Sequence, residues 1–204
     1  MKTIGIVSGM SWSSTNDKTR AASNLSTSNF NPMNSSIIPA VESDLETIYH
    51  LFEEAIQFQK INNYIGWSSY DKNFIQEDIK QGLLFKMTNS GNIVCIFSIC
   101  YHDELIWRDR EMGNAIYLHR LVLNRKFQGV KVFGDVLAWA MGTAREKGLQ
   151  FIRMDTWANN LKLINYYTTY GFRFLENYTT LNTADLPIQH RNLNVSLLEL
   201  ELLE

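Results

Sequence analysis

NAIYLHRLVLNRKFQGVKVFGDVLAWAMGTAREKGLQFIRMDTWANNLKLINYYTTYGF, residues 114–172, decides how the rest of the chain is read. Ala115–Leu123 is an apolar run of strand length. Over 130–147, Val132, Val136, Leu137, Ala140, Met141 and Ala144 recur at helical spacing, and Gly148 follows as a stop. Residues 151–155 read as a second strand, and 160–169 as a short helix opened by Asn160, a favoured N-cap type. A strand, a helix and a strand in that order form a crossover, so the two strands are expected to lie parallel in one sheet. Chemistry has two places to sit here. One is the backbone amides of 128–134, because a helix start carries unsatisfied donors and the positive end of the helix dipole. The other is the pair of side chains Asn160 and Tyr167 on the short helix.

Working outward, IIPA at 37–40 reads as a strand, and Ser43 or Asp44 caps a helix carrying Leu45, Ile48, Leu51, Phe52, Ala55 and Ile56. A second helix starts near Asp71, uses Phe74, Ile75 and Ile79, and ends at Gly82. LLFKM, the turn NSGN and IVCIFSICYH form a hairpin. The polar piece 103–113, with Trp107, reads as a mobile connection, and 181–191, with Pro187, as a loop between strands at 172–180 and 193–203. The order predicts an α/β (α+β) domain with a mixed, mostly antiparallel sheet flanked by helices.

The first residues differ from the rest. MKTIGIVSGMSWSST resembles the opening strand and loop of the aspartate/glutamate racemase family, but that family's reactive cysteines have no counterpart here. Residues 16–36 are rich in Ser, Asn and Thr and read as a linker. The expected division is an appended head and linker over 1–36 and a globular domain over 37–204. Trp12 falls in the head.

A length of 204 residues fits one core of ordinary size, and a net charge of −2 offers no general attraction to nucleic acid or to anionic membranes. No apolar run approaches the ~20 residues needed to span a bilayer. The start is too short and too interrupted for a signal peptide. Cys95 and Cys100 lie five apart in one strand, so they face opposite sides and cannot bridge. Two thiols without metal-ligand spacing fit a reducing cytoplasm, and no metal is expected.

The chain from 37 to 203 resembles the GNAT superfamily of N-acetyltransferases. Its most specific part is the pattern N-x-x-[AL]-[IL]-x-[YF]-Y-x-x-[YLC]-G-F, matched by Asn160, Leu163, Ile164, Tyr166, Tyr167, Tyr170, Gly171 and Phe172. The family's other signature, Q/R-x-x-G-x-G/A, is kept at Gln128, whereas Lys131 and Phe133 stand where its two small residues would be, flanked by Gly129 and Gly134. The resemblance implies a splayed central parallel strand pair, acetyl-CoA as co-substrate, and direct attack of a small-molecule amine on the thioester. It assigns the diphosphate to Gln128, Gly129, Val130, Lys131, Val132, Phe133 and Gly134. It assigns the pantetheine arm to Asn160 and to the backbone of Leu121, Val122 and Leu123, and protonation of the leaving thiolate to Tyr167. Each has a plain structural alternative: a loop-to-helix start, a helix cap, a core tyrosine. The departures at Lys131 and Phe133 motivate a second possibility, a GNAT-fold module that binds acyl-CoA without turnover. A third is a partner-binding domain, in which the head adds a strand to another chain.

An attacking ammonium must lose a proton. His119, titrating near pH 6.5 in ordinary surroundings, is the best base candidate, with Glu111, Glu104 and His102 nearby in sequence. It shares a strand face with Tyr117, and sequence leaves open whether that face looks into the cleft. Trp67, Tyr70, Trp107 and Trp157 are candidates for an acceptor pocket or for plain core packing. The last strand, LNVSLLELELLE, could extend a neighbour's sheet, which would make a homodimer.

Overall fold

The structure is a computed structural model describing residues 35–64, 66–127, 132–184, 186 and 190–202. The racemase-like head, Gln128, Gly129, Val130 and Lys131 lie outside the described residues. Among the described residues seven strands form one sheet: β1 (Ser35–Pro39), β2 (Leu84–Asn89), β3 (Asn92–Cys100), β4 (Ala115–Leu123), β5 (Phe151–Trp157), β6 (Arg173–Thr179) and β7 (Asn194–Glu201). Their spatial order is β1-β2-β3-β4-β5-β7-β6. Every neighbouring pair is antiparallel except β4 and β5. The parallel pair follows from the crossover helix α4 (Val132–Glu146) between them.

The helices cover both faces. On one face α1 (Leu45–Ile61) lays down Ile48, Leu51, Phe52 and Ala55, a stripe at helical spacing, and α2 (Lys72–Lys80) adds Ile75. On the other, α4 contributes Val132, Phe133, Val136, Leu137, Ala140 and Ala144, and α5 (Leu161–Thr168) contributes Leu163, Ile164 and Tyr167. Each large apolar side chain buried in this way stabilises the fold by roughly 1.5–3 kcal/mol relative to exposure. Local chemistry sets the boundaries. Asp71 caps α2 by accepting from the Asn73 amide at 2.8 Å, and Gly82 leaves that helix at φ +68°.

Three expectations are corrected. β1 begins at Ser35, inside the expected linker, and pairs from its first residue with Asn89. The piece 103–113 is not a mobile connection. It forms α3 (Glu104–Trp107) and a 3₁₀ turn, held down by the fully buried Trp107, whose ring stands 5.6 Å from Tyr117. β7 lies between β5 and β6, so both its backbone edges are used and it cannot extend a neighbour's sheet; among the described residues the edge strands are β1 and β6. Sequence order hid this, because the last strand inserts rather than appends.

β4 carries a bulge. Ile96 pairs with Val122 and Ser98 with His119, so Arg120 and Leu121 together face Phe97. Arg120 takes up the extra residue in the left-handed region, at φ +49°. This strain, of order 1–3 kcal/mol, persists because the side chain is tied down: the buried Arg120 guanidinium donates to the Asp78 carboxylate on α2 and lies 3.3 Å from Ser98 Oγ.

Candidate active site

The β4–β5 ladder consists of three pairs, Ala115–Phe151, Ile116–Ile152 and Tyr117–Arg153. Beyond Tyr117 the strands part, and a bulged strand bends. β5 stays paired with β7 along its whole length and β4 stays paired with β3, so the opening is a wedge between two well-supported strands. Leu121, Val122 and Leu123 lie on the wedge-side strand. Leu121 packs on the α4 face and Val122 on the α1 face, which leaves their backbone rather than their side chains for a ligand.

The crossover helix α4 packs against both β4 and β5. Phe133, bulky where the resemblance implies a small residue, turns fully into the core. Its ring lies 4.8 Å from that of Tyr167 and 4.9 Å from that of Tyr170. Val132 is buried likewise, so either could serve a ligand only through its amide. At Gly134 an added Cβ would meet nothing nearer than Tyr170, at an ordinary 3.6 Å, so packing does not require glycine there. On α5, the Asn160 side chain accepts from the Leu163 amide at 3.1 Å and so caps the helix. Tyr166 pairs hydroxyl to hydroxyl with Tyr170 at 3.0 Å. Tyr167 is fully buried, and its hydroxyl has no hydrogen-bond partner among the described residues. Burial pushes that phenol well above its ordinary pKa, so it stays a proton donor. An unpartnered buried hydroxyl costs about 1–3 kcal/mol, which makes it a point where a ligand would be welcome.

His119 occupies the opposite face, the one covered by α1 and α2. It is 1 % exposed and its ring lies parallel to Tyr117, 6.3 Å away. Around it stand residues that the sequence alone did not single out. Cys100 Sγ is 3.1 Å from Nε2, Asp103 Oδ2 is 3.8 Å from Nε2, and Asp155 Oδ1 is 3.7 Å from Nδ1. His190 is close enough for the two imidazoles to act on one another electrostatically. Burial, and then the neighbouring Asp103 charge, raise both the Asp155 carboxyl and the Cys100 thiol well above their usual values. The available signal was one acidic residue inside the strand FIRMDTW, two residues beyond Arg153 and therefore on the same face.

The other base candidates have different surroundings. Burial alone would raise the Glu111 carboxyl. Hydrogen bonds from the Asp103 amide, Tyr117 and the Gly113 amide outweigh it and hold Glu111 low, as a loop organiser. His102 is largely exposed beside Glu111, and Glu104 opens α3. Trp67, Trp107 and Trp157 are all buried on the His119 face, with Tyr70 partly buried beside them. The Trp107 and Trp157 indole N–H groups have no hydrogen-bond partner among the described residues.

His190 gives the fold a pH dependence. Burial first, then the charges of Arg120 and His119, push its imidazole down to about 4, against 6.5 for an ordinary histidine. Above pH 6.5 neither folded nor unfolded chain carries the proton. Between pH 6.5 and about 4 only the unfolded chain takes it up, so stability declines across that window by up to about 3 kcal/mol. Denaturant unfolding of the wild type and of His190→Gln over this range should show a shallower decline in the variant. Parallel curves would remove His190 as the cause.

No family model matches the chain. Over 150 residues it is 27% identical to the uncharacterized N-acetyltransferase YesJ of Bacillus subtilis, covering 67% of this chain and 81% of that protein. A GNAT-family acetyltransferase from Listeria monocytogenes superposes with a TM-score of 0.69 at 22% identity, covering 82% of this chain and 95% of the other. YncA of Salmonella typhimurium, a putative acetyltransferase solved with acetyl-CoA, gives 0.59 at 15% identity, covering 84% and 95%. The fold, including the parallel β4–β5 pair within a mostly antiparallel sheet, is that of the GNAT acetyltransferases. No helix among the described residues is long and apolar enough to cross a membrane.

Proposed function

We propose that the protein is an acyl-CoA-dependent N-acyltransferase of the GNAT superfamily, transferring acetyl from acetyl-CoA to the amine of a small molecule by direct attack in a ternary complex. The observation that carries this is the parting of β4 from β5 after Tyr117–Arg153, with a buried phenol that has no hydrogen-bond partner among the described residues on one face and a histidine between two carboxylates on the other. Acetyl-CoA supplies the acyl group as a thioester. The chain's residues fit it. The Phe133 ring points into the core and does not plug the start of α4. The backbone of Leu121–Leu123 would hold the pantetheine arm and polarise the thioester carbonyl. The amides of 128–134 would meet the phosphates, with Asn160 beside the arm. His119 would take the proton of the attacking amine, and Tyr167 would hydrogen-bond the departing sulfur.

Binding of acetyl-CoA measured by calorimetry, followed by release of free thiol with a panel of amines, tests the proposal. Thiol that appears only when an amine is present supports it, and lack of acetyl-CoA binding ends it. Tyr167→Phe is expected to lower kcat about 10- to 100-fold while leaving acetyl-CoA affinity unchanged, within the range seen for general-acid groups. Thiol release at the wild-type rate across the full pH range would remove Tyr167 from the chemistry.

A further inference from the structure

The sheet face under α1 and α2 gathers a histidine and two aspartates from β4, from β5 and from the approach to α3. One ligand atom each from Asp103, His119 and Asp155 lies within 4.8 Å of the other two, and all three residues are 0–1 % exposed. Asp155 adds a separate observation. Neither of its oxygens has a hydrogen-bond partner among the described residues, and Oδ1 stands 3.7 Å from His119 Nδ1. The two arginines on this face are engaged elsewhere, Arg120 with Asp78 and Arg153 with Glu199. An ionised carboxyl out of water needs a counter-charge, and a neutral one needs its polar atoms paired.

Bond lengths test whether a metal ion meets that need. An ion binds only one imidazole nitrogen, and Nε2 faces the Cys100 sulfur at 3.1 Å. In the tautomer whose Nε2–H donates to that sulfur, the lone pair sits on Nδ1, on the Asp155 side. A partner on the second nitrogen is what orients a metal-binding histidine. Bonds of ~2.1 Å at tetrahedral to trigonal angles hold two ligand atoms ~3.4–3.6 Å apart. Asp155 Oδ1 and Nδ1, at 3.7 Å, stand almost at that spacing already. Asp103 lies toward the other edge of the ring, with Oδ2 3.8 Å from Nε2. Starting within the 4.8 Å limit, its carboxylate closes by on the order of 1 Å at most to become the third ligand. One tetrahedral position then stays open. An imidazole with two carboxylates suits Zn²⁺ or Co²⁺, whereas Mg²⁺ and Ca²⁺ favour larger sets of oxygens. Entry is through the wedge, because on this face His119 and Asp155 are the first residues past the last ladder pair.

We propose that Asp103, His119 and Asp155 form a binding site for a divalent transition-metal ion of the Zn²⁺ class, and that the bound ion switches acyl transfer off. The ion occupies the Nδ1 lone pair that otherwise takes the proton of the attacking amine, so metal binding and turnover exclude one another. Only this consequence rests on the acetyltransferase reading; the site itself does not. The metal is thus a reversible inhibitor at the base and takes no part in the reaction. The backbone of Leu121–Leu123 and the Tyr167 phenol are not ligands, so acetyl-CoA binding is unaffected.

The test uses the full chain, stripped with EDTA and returned to chelator-free buffer. Calorimetry is expected to show one Zn²⁺ bound per chain, Co²⁺ to give the intense visible bands of a four-coordinate site, and Zn²⁺ to raise the melting temperature. Asp155→Asn and His119→Gln, each checked by circular dichroism for the wild-type fold, should weaken Zn²⁺ binding by about 100-fold. A reading that needs no variant is the imidazole nitrogen spectrum of the wild type, in which Zn²⁺ should shift Nδ1 of His119. His50→Ala is the control, because the largely exposed His50 stands 3.3 Å from Glu54 one helical turn on and offers a surface site for adventitious metal. It should bind Zn²⁺ as the wild type does. Absence of Zn²⁺ binding, an unmoved His119 Nδ1, full affinity in both site variants, loss of binding in His50→Ala, or Mg²⁺ bound as tightly as Zn²⁺ overturns the site. With an accepted amine, Zn²⁺ should stop formation of the acetylated product, followed by mass spectrometry, and EDTA should restore it. Undiminished turnover at saturating Zn²⁺ overturns the switch. If no amine is accepted, the acetyltransferase reading falls, and the metal titration still decides the site.

Discussion

His119→Gln is expected to lower kcat/KM for the amine by about 10²- to 10⁴-fold, the usual contribution of a positioned general base. Glutamine keeps the approximate volume and one hydrogen bond to the Cys100 side, so core packing on the α1 face stays close to that of the wild type. It cannot take a proton in the working pH range. The acidic limb of the pH–rate profile, along which the wild type loses activity as its base becomes protonated, should disappear in the variant. Calorimetric affinity for acetyl-CoA should not change, since the ring lies on the face away from the Tyr167 phenol. A variant whose profile keeps the same limb would place the base elsewhere, and Asp155, whose carboxyl burial raises, would be the next candidate.

The largest effect on stability is expected from Asp78→Ala. Asp78 and Arg120 are both buried, and the pair fastens α2 to the bulge of β4. Burial alone lowers the Arg120 pKa to about 10, a sign of how poorly this guanidinium is solvated. Removing its carboxylate leaves a buried cation beside Ser98 Oγ at 3.3 Å, and breaking a buried pair in this way costs about 3–5 kcal/mol. For a domain of this size the melting temperature should fall by on the order of 10 °C. The double variant Asp78→Leu/Arg120→Met should recover part of the loss, because it leaves no uncompensated charge. If Asp78→Ala unfolds within about 1 kcal/mol of the wild type, the pair is not what holds the bulge.

Much of the architecture was legible because local signals and global topology agree in this chain. The apolar run Ala115–Leu123, the stripe of α4 and Gly148 at φ +66° fix a strand–helix–strand unit from sequence alone. The hairpin turn could be read from NSGN, whose Ser90 and Gly91 take positive φ. Three features were hidden for physical reasons. The insertion of β7 beside β5 is a long-range pairing that no local pattern encodes. The packing of 103–113 depends on one tryptophan finding Tyr117 across the fold. The company of His119 is drawn from three separate segments, at 100–103, Asp155 and His190, and spacing along a chain says nothing about such a meeting. Phe133 could be judged anomalous from its position in the signature, but the direction of its ring is set by Tyr166, Tyr167 and Tyr170 around it.

The short β4–β5 ladder also has a mechanical meaning. Four strands make one stiff panel and three make another, and a single seam of three residue pairs joins them at one end. Scissoring about that seam is the softest motion such a sheet can make, with amplitude growing toward the open end. An extended molecule lying in the gap, with amides of its own, would extend the seam and lock the panels together. A reactant held there becomes a structural member of the protein for as long as it stays.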